Sequence, residues 1–148
     1  MKLISFLILT ASVALPFSAH ADGSHKKIQA GPNGGRIMKS VTPHAEFLVT
    51  PERKVQITFL NEAGKPIAPS GQGVSVVAGE RSAPTRMSFQ AAGETLLSEQ
   101  TLPAGNGFPT VVQIKATAEA KPVLEKFNLN LTTCPECSLA EYACTCGH

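Results

Sequence analysis

All four cysteines of the chain lie at its C-terminal end, close to a terminal histidine. The candidate metal ligands are Cys134, Cys137, Cys144, Cys146 and His148, with the spacing C-x2-C-x6-C-x-C-x-H. A C-x2-C turn places two thiolates on one side of a bend, so both can reach one ion at the ~2.3 Å of a Zn–S bond. Four of the five groups would complete a tetrahedron, so we expect a metal site in this tail.

The spacing leaves the identity of the ion open between zinc and copper. The two halves of the motif are six residues apart, whereas the two knuckles of an ordinary zinc ribbon stand roughly 15 to 20 residues apart. Closely spaced thiolates also suit Cu(I), which prefers soft sulfur ligands. The expected cofactor is therefore a copper or zinc ion.

Two other interpretations of the cysteines stay open. In an oxidising compartment an even number of cysteines normally pairs. Disulfides Cys134–Cys146 and Cys137–Cys144 would give a stapled structural or interaction module of the cell envelope. Alternatively, Cys134-x-x-Cys137 has the form of a thiol oxidoreductase motif, although such motifs usually lie in a βαβ pattern rather than at the end of a β-rich chain.

A second candidate metal site is the pair His44 and Glu46. The two residues are two positions apart on a predicted strand, so their side chains share a face and could offer a nitrogen and a carboxylate. Alternating polar residues on a half-buried strand more often form a solvated face.

The segments that must position these residues are short and alternate between apolar and polar side chains. Lys54 to Leu60 is the clearest, with Val55, Ile57 and Phe59 on one face. Similar segments, including Thr85 to Ala91, are separated by Gly- and Pro-rich turns, and no convincing amphipathic helix lies between them. The sequence predicts an all-β fold, an antiparallel β-sandwich of immunoglobulin-like form, with a short Cys-rich C-terminal tail.

The N-terminus has the layout of an export signal. An apolar run from Leu3 to Leu15 follows Lys2, and Ala19 and Ala21 occupy the small-residue positions of a cleavage site. The run is short for a membrane span, which needs about 20 residues. We expect a signal peptide over residues 1–21, cleaved after Ala21, and a periplasmic protein whose link to the membrane is this signal alone.

The rest of the chain divides by composition into three parts. Residues 22–35 form a polar, Gly-rich, flexible loop, residues 36–132 the β-sandwich domain, and residues 133–148 the Cys-rich tail. The formal net charge of +2 comes from scattered basic residues, and there is no Trp, so nucleic acid is not an expected partner. No nucleophile lies on a recognisable elbow, and we expect a protein that is not an enzyme.

Part of the chain resembles a known group of proteins. The residues concerned are the turn Gly31-Pro32-Asn33-Gly34-Gly35-Arg36, the strand around His44-Ala45-Glu46, and Val55 to Phe59 running into Asn61 to Pro66. Over roughly residues 30 to 70 this resembles small periplasmic proteins associated with heavy-metal efflux systems. The resemblance implies a metal-handling accessory that sequesters an ion or delivers it to an envelope efflux component. It carries over no ligand set, and the tail lies outside it.

Overall fold

The computed structural model describes residues 28–147, and these are almost entirely β-structure. A single short 3-10 helix, Glu141–Ala143, lies in the tail of this range. The strands of the same range are β1 (Arg36–Met38), β2 (His44–Val49), β3 (Lys54–Leu60), β4 (Pro66–Ile67), β5 (Gly73–Ala78), β6 (Thr85–Met87), β7 (Phe89–Ala92), β8 (Thr95–Thr101), β9 (Gly107–Lys115) and β10 (Val123–Asn130). Within it, no helix has the length and apolar character needed to cross a membrane. The predicted signal peptide lies outside the described residues.

The strands form two antiparallel sheets. The first has the order β1-β2-β3-β8-β7, with β4 paired to β3, and the second has the order β10-β9-β5-β6. Their inner faces share one hydrophobic core. The prediction of an all-β, two-sheet antiparallel fold with a cysteine-rich C-terminus is confirmed, and its immunoglobulin-like form is compatible with this topology.

Alternation of side chains explains how the sheets face each other. In β3, Val55, Ile57 and Phe59 are fully buried, and in β9 the inward positions include Val112 and Ile114. Because a shift of one residue would turn every one of these side chains to the opposite face, their burial fixes the register of each strand. Each such side chain contributes roughly 1.5 to 3 kcal/mol when fully buried.

The segment predicted as one strand over Thr85 to Ala91 is divided at Ser88. Residues before it, in β6, pair with β5 in the second sheet, whereas residues after it, in β7, pair with β8 in the first. The backbone N–H of Ser88 donates to the side chain of Gln100 at 2.8 Å. The extended conformation is as predicted, but the change of sheet comes from pairing with two different strands, β5 and β8, and has no local signature.

The outer strands β1 and β10 come together on one side of the sandwich. The guanidinium of Arg36 lies 4.7 Å from the ring centre of Phe127, and Ser40 donates a hydrogen bond to Glu125. Phe47 of β2 meets Phe127 edge to face at 5.4 Å. The C-terminal tail packs on this side, where its 3-10 helix contacts β1 and β10.

Candidate metal centre

The first half of the tail is a tight turn that brings Cys134 and Cys137 to the same side. The N–H of Ser138 donates to the carbonyl of Cys134 at 3.0 Å, and the N–H of Cys134 donates to the carbonyl of Leu139 at 2.7 Å. Ser138 has a φ of 60°, a left-handed conformation that reverses the chain directly after Cys137. An isolated bridge between Thr133 and Ala140 closes the turn.

The second half of the tail starts from the 3-10 helix. Its last turn is closed by the N–H of Cys144, which donates to the carbonyl of Glu141 at 3.2 Å. The chain then turns so that the N–H of Cys146 points to the sulfur of Cys144 at 3.4 Å. Cys134 and Cys144 are buried, Cys137 is half-buried and Cys146 is exposed.

The four sulfur atoms form one compact group, all within 4.8 Å of one another. The sulfur of Cys144 lies 3.3 Å from that of Cys134 and 3.6 Å from that of Cys137, and the sulfurs of Cys134 and Cys146 are 4.0 Å apart. A tetrahedron with ~2.3 Å metal–sulfur bonds has edges of about 3.8 Å. The sulfur–sulfur distances therefore lie around the spacing that a tetrahedral ion requires, and the cluster could hold a metal ion.

The hydrogen bonds around the cluster favour deprotonation of Cys137 before that of Cys146. Hydrogen bonding from the backbone of Leu139, supported by that of Thr145, lowers the pKa of Cys137 to about 7. The pKa of Cys146 is raised, first because its sulfur loses hydration and then because it contacts the sulfurs of Cys137 and Cys144. Several negative charges this close repel each other unless a cation neutralises them, so the deprotonated cluster favours a bound cation.

Tyr142 anchors this cluster to the sandwich. Its side chain is buried, and its hydroxyl oxygen accepts a hydrogen bond from the N–H of Val49 at 3.0 Å. Its ring meets that of Phe47 edge to face at 5.8 Å, and the neighbouring Ala143 also belongs to the core. Burial raises the pKa of Tyr142, and the nearby carboxylate of Glu46 acts in the same direction.

Sequence reasoning missed Tyr142. The sequence signal that could have identified Tyr142 is its position as the one aromatic residue in the spacer between the two pairs of cysteines. An aromatic side chain in a segment too short for a core of its own has to pack on another part of the protein.

Glu46, one half of the second candidate site, holds the Gly31–Gly35 turn. One carboxylate oxygen accepts the backbone N–H groups of Asn33 and Gly35 at 2.9 and 2.8 Å, and the other accepts the side-chain amide of Asn33 at 2.8 Å. A Cβ added at Gly31 would lie 2.4 Å from the carboxylate carbon of Glu46, so the approach requires glycine. Both oxygens of the buried carboxylate therefore have structural partners.

The other predicted ligands are placed differently from the cysteines. The Nδ1 atom of His44 lies 3.0 Å from the carbonyl oxygen of Val41. In the described part of the chain, the four cysteines are the only group of three or more metal-ligating side chains close enough to share an ion, so no such group forms around His44 and Glu46. His148, the fifth predicted ligand of the tail, lies outside the described residues.

Comparisons with protein-family models, with curated proteins and with solved structures find no match to this chain. The fold and the site thus define the protein as a two-sheet antiparallel β-protein whose C-terminal four-cysteine cluster could bind a metal ion.

Proposed function

We propose that this is a non-enzymatic metal-binding protein of the periplasm, in which Cys134, Cys137, Cys144 and Cys146 hold one zinc or copper ion. The observation that carries the proposal is the mutual approach of all four sulfur atoms to within 4.8 Å. The predicted export signal and the resemblance to proteins of heavy-metal efflux support a role in envelope metal homeostasis, in which the protein sequesters the ion or delivers it to an efflux component.

Geometry favours zinc over copper. Four sulfurs at tetrahedral spacing are the typical donor set of Zn²⁺, whereas thiolate sites for Cu(I) often use fewer ligands. The three shortest sulfur–sulfur distances, 3.3, 3.6 and 4.0 Å, involve all four cysteines, so no smaller subset separates from the group. We therefore propose zinc as the preferred ion.

The same donor set supports binding rather than catalysis. A catalytic zinc keeps one coordination position open for water or substrate and has three protein ligands. Four thiolates around one ion leave no such position.

Elemental analysis of the full chain, purified without chelators, tests the proposal. We expect about one equivalent of zinc in the parent chain and its loss in the double variant Cys134→Ser/Cys144→Ser. Thr145→Ala is the matched control, because it changes a tail residue that has no thiol, and it should keep the ion. A parent chain without zinc or copper would contradict the proposal, and copper in place of zinc would contradict the choice of ion.

Substitution is preferable to truncation after Thr133. Removing residues 134–148 would also remove Tyr142 and Ala143, which belong to the hydrophobic core. A truncated chain could then lose its metal because the domain is destabilised, and the result would not identify the ligands.

A second candidate function is the disulfide-stapled interaction module. The observation in its favour is that Cys137–Cys144 and Cys134–Cys146, the pairs that nested bridges would join, are 3.6 and 4.0 Å apart between sulfurs. The structure has them as thiols, at separations well above the about 2.05 Å of an S–S bond. Counting reactive thiols in the metal-stripped, denatured and unreduced chain separates the two: four support the metal site, and none supports the staple.

A further inference from the structure

The tail completes the edge of the first sheet next to Arg36, the first residue of β1. The pairing of β1 with β2 extends no further along β2 than Arg36 opposite Phe47. Val49 lies beyond that pair, and its N–H donates to the hydroxyl oxygen of Tyr142 at 3.0 Å. A buried or half-buried strand N–H needs an acceptor, so the tyrosine supplies the one that a longer β1 would have provided.

The ring of Tyr142 also closes the space between the two sheets. It packs edge to face on Phe47, which is fully buried and itself packs edge to face on Phe127 of β10. These three rings connect the edge region of the first sheet to β10, the edge strand of the second sheet. The tail is thus part of the wall of the sandwich.

The residues that dock and the residues that bind the ion are held in one short unit. Tyr142 lies in the 3-10 helix whose carbonyl at Glu141 accepts the N–H of Cys144. The N–H of Glu141 in turn donates to the carbonyl of Thr132 at 2.8 Å, directly before the Cys134 turn. Because these bonds join the two halves of the tail, a movement of Tyr142 out of its position would strain them and pull Cys144 away from the other sulfurs.

We propose that metal binding and the docking of Tyr142 are one coupled event, in which Tyr142 is the positioning residue that brings the thiolates together and the ion keeps the sandwich edge closed. The coupling rests on the proposed metal-binding function and adds a regulation of that site. Coupling of two binding events is reciprocal, so docking raises metal affinity by the same factor by which metal favours docking. Loss of the ion would open the edge between β1 and β10.

The chain provides its own probe, because it contains one tyrosine and no tryptophan. The experiment starts from the zinc-loaded full chain and adds a chelator stepwise. A colorimetric dye measures released zinc, and the near-UV circular dichroism band of tyrosine measures the packing of Tyr142. We expect the tyrosine band to collapse with the same midpoint as zinc release.

The two proposals fail in different ways. Zinc release with an unchanged tyrosine band would overturn the coupling and leave the metal site intact. A chain that takes up neither zinc nor copper at the start would overturn the proposed function and the coupling with it.

A pair of variants separates positioning from general stability. Tyr142→Phe keeps the ring but leaves the N–H of Val49 without its acceptor in the docked state, while water satisfies that N–H when the tail is undocked. We therefore expect up to about a tenfold loss of zinc affinity, because Val49 is half-buried and an unsatisfied N–H that is fully buried costs about this much or more. The matched control is Ser98→Ala on β8, since Ser98 also accepts a strand N–H, from Val55 at 2.9 Å.

Ser98→Ala should destabilise the domain and leave zinc affinity unchanged, because Ser98 lies on β8, separated from β2 by β3. Equal losses of zinc affinity in both variants, or none in Tyr142→Phe, would overturn the role of Tyr142 as a positioning residue.

Discussion

Replacing Glu46 by glutamine tests whether this residue is a structural anchor or a metal ligand. Glu46 is completely buried, and its carboxylate accepts two backbone N–H groups of the Gly31–Gly35 turn and one side-chain amide. Glutamine has nearly the same size but carries no charge and only one acceptor oxygen. The substitution therefore weakens the hydrogen bonds and leaves the packing almost unchanged.

The expected loss is about 2 kcal/mol of unfolding free energy. Hydrogen bonds to a charged group contribute roughly 1.5 to 3 kcal/mol each, and bonds between neutral groups about 1 kcal/mol. If the remaining oxygen still accepts the backbone N–H groups of Asn33 and Gly35, each of these two bonds changes from a bond to a charged group into a weaker bond between neutral groups. The side-chain amide of Asn33 can turn its oxygen toward the new amide, so its contribution to the loss is small.

Urea denaturation of zinc-loaded protein at neutral pH measures this change. Glu99→Gln is the control, because Glu99 is exposed, and it should stay within about 0.5 kcal/mol of the parent. The metal content of Glu46→Gln should remain that of the parent chain. A loss of unfolding free energy below about 0.5 kcal/mol would refute the structural role of Glu46. Loss of one equivalent of metal would indicate that Glu46 is a metal ligand.

Three further predictions concern the turn, the metal and the tyrosine. Gly35→Ala should lower the free energy of unfolding by more than about 2 kcal/mol, because its Cβ would lie 2.4 Å from the carbonyl oxygen of Phe47. Gly107→Ala is the control, since a Cβ at Gly107 meets nothing within 4 Å. Equal urea midpoints for the two variants would contradict this contact. Acidification should release the metal, since protons compete for the thiolates, and a dye-based metal assay that shows constant occupancy from neutral pH to about pH 4 would count against the site. Burial raises the pKa of Tyr142, so the folded state holds its proton more tightly than the unfolded state. The resulting stability is complete below about pH 10 and is lost as the pH rises through the folded-state pKa. Tyr142→Phe should lack this alkaline loss in denaturation measured across that range.

Much of the fold could be predicted because strand periodicity is local. The alternation of Val55, Ile57 and Phe59 identifies β3 without any knowledge of its neighbours, and all three side chains are buried as expected. The two C-terminal cysteine pairs are equally local, since both lie within tight turns. Their approach to one another follows from the short spacer between them.

The contacts that sequence reasoning did not predict join residues far apart in the chain. Glu46 shares a strand face with His44, which suggested a ligand pair, yet its partners come from the turn at Asn33 and Gly35. Periodicity predicts the direction of a side chain but not which loop will meet it. Tyr142 similarly finds Val49, 93 positions earlier in the chain.

The boundary drawn before residue 133 is a change in composition, and the core extends beyond it. A tail of this length cannot bury enough apolar surface to offset the entropy of ordering it. Tyr142 and Ala143 bury their side chains in the sandwich, and Leu139 lies against Gly34 in the turn that Glu46 holds. These contacts order the tail from one side, and a bound ion would order it from the other. The packed side chains hold the four sulfurs within 4.8 Å of one another, and a cation would offset the repulsion that arises between these sulfurs when they are deprotonated.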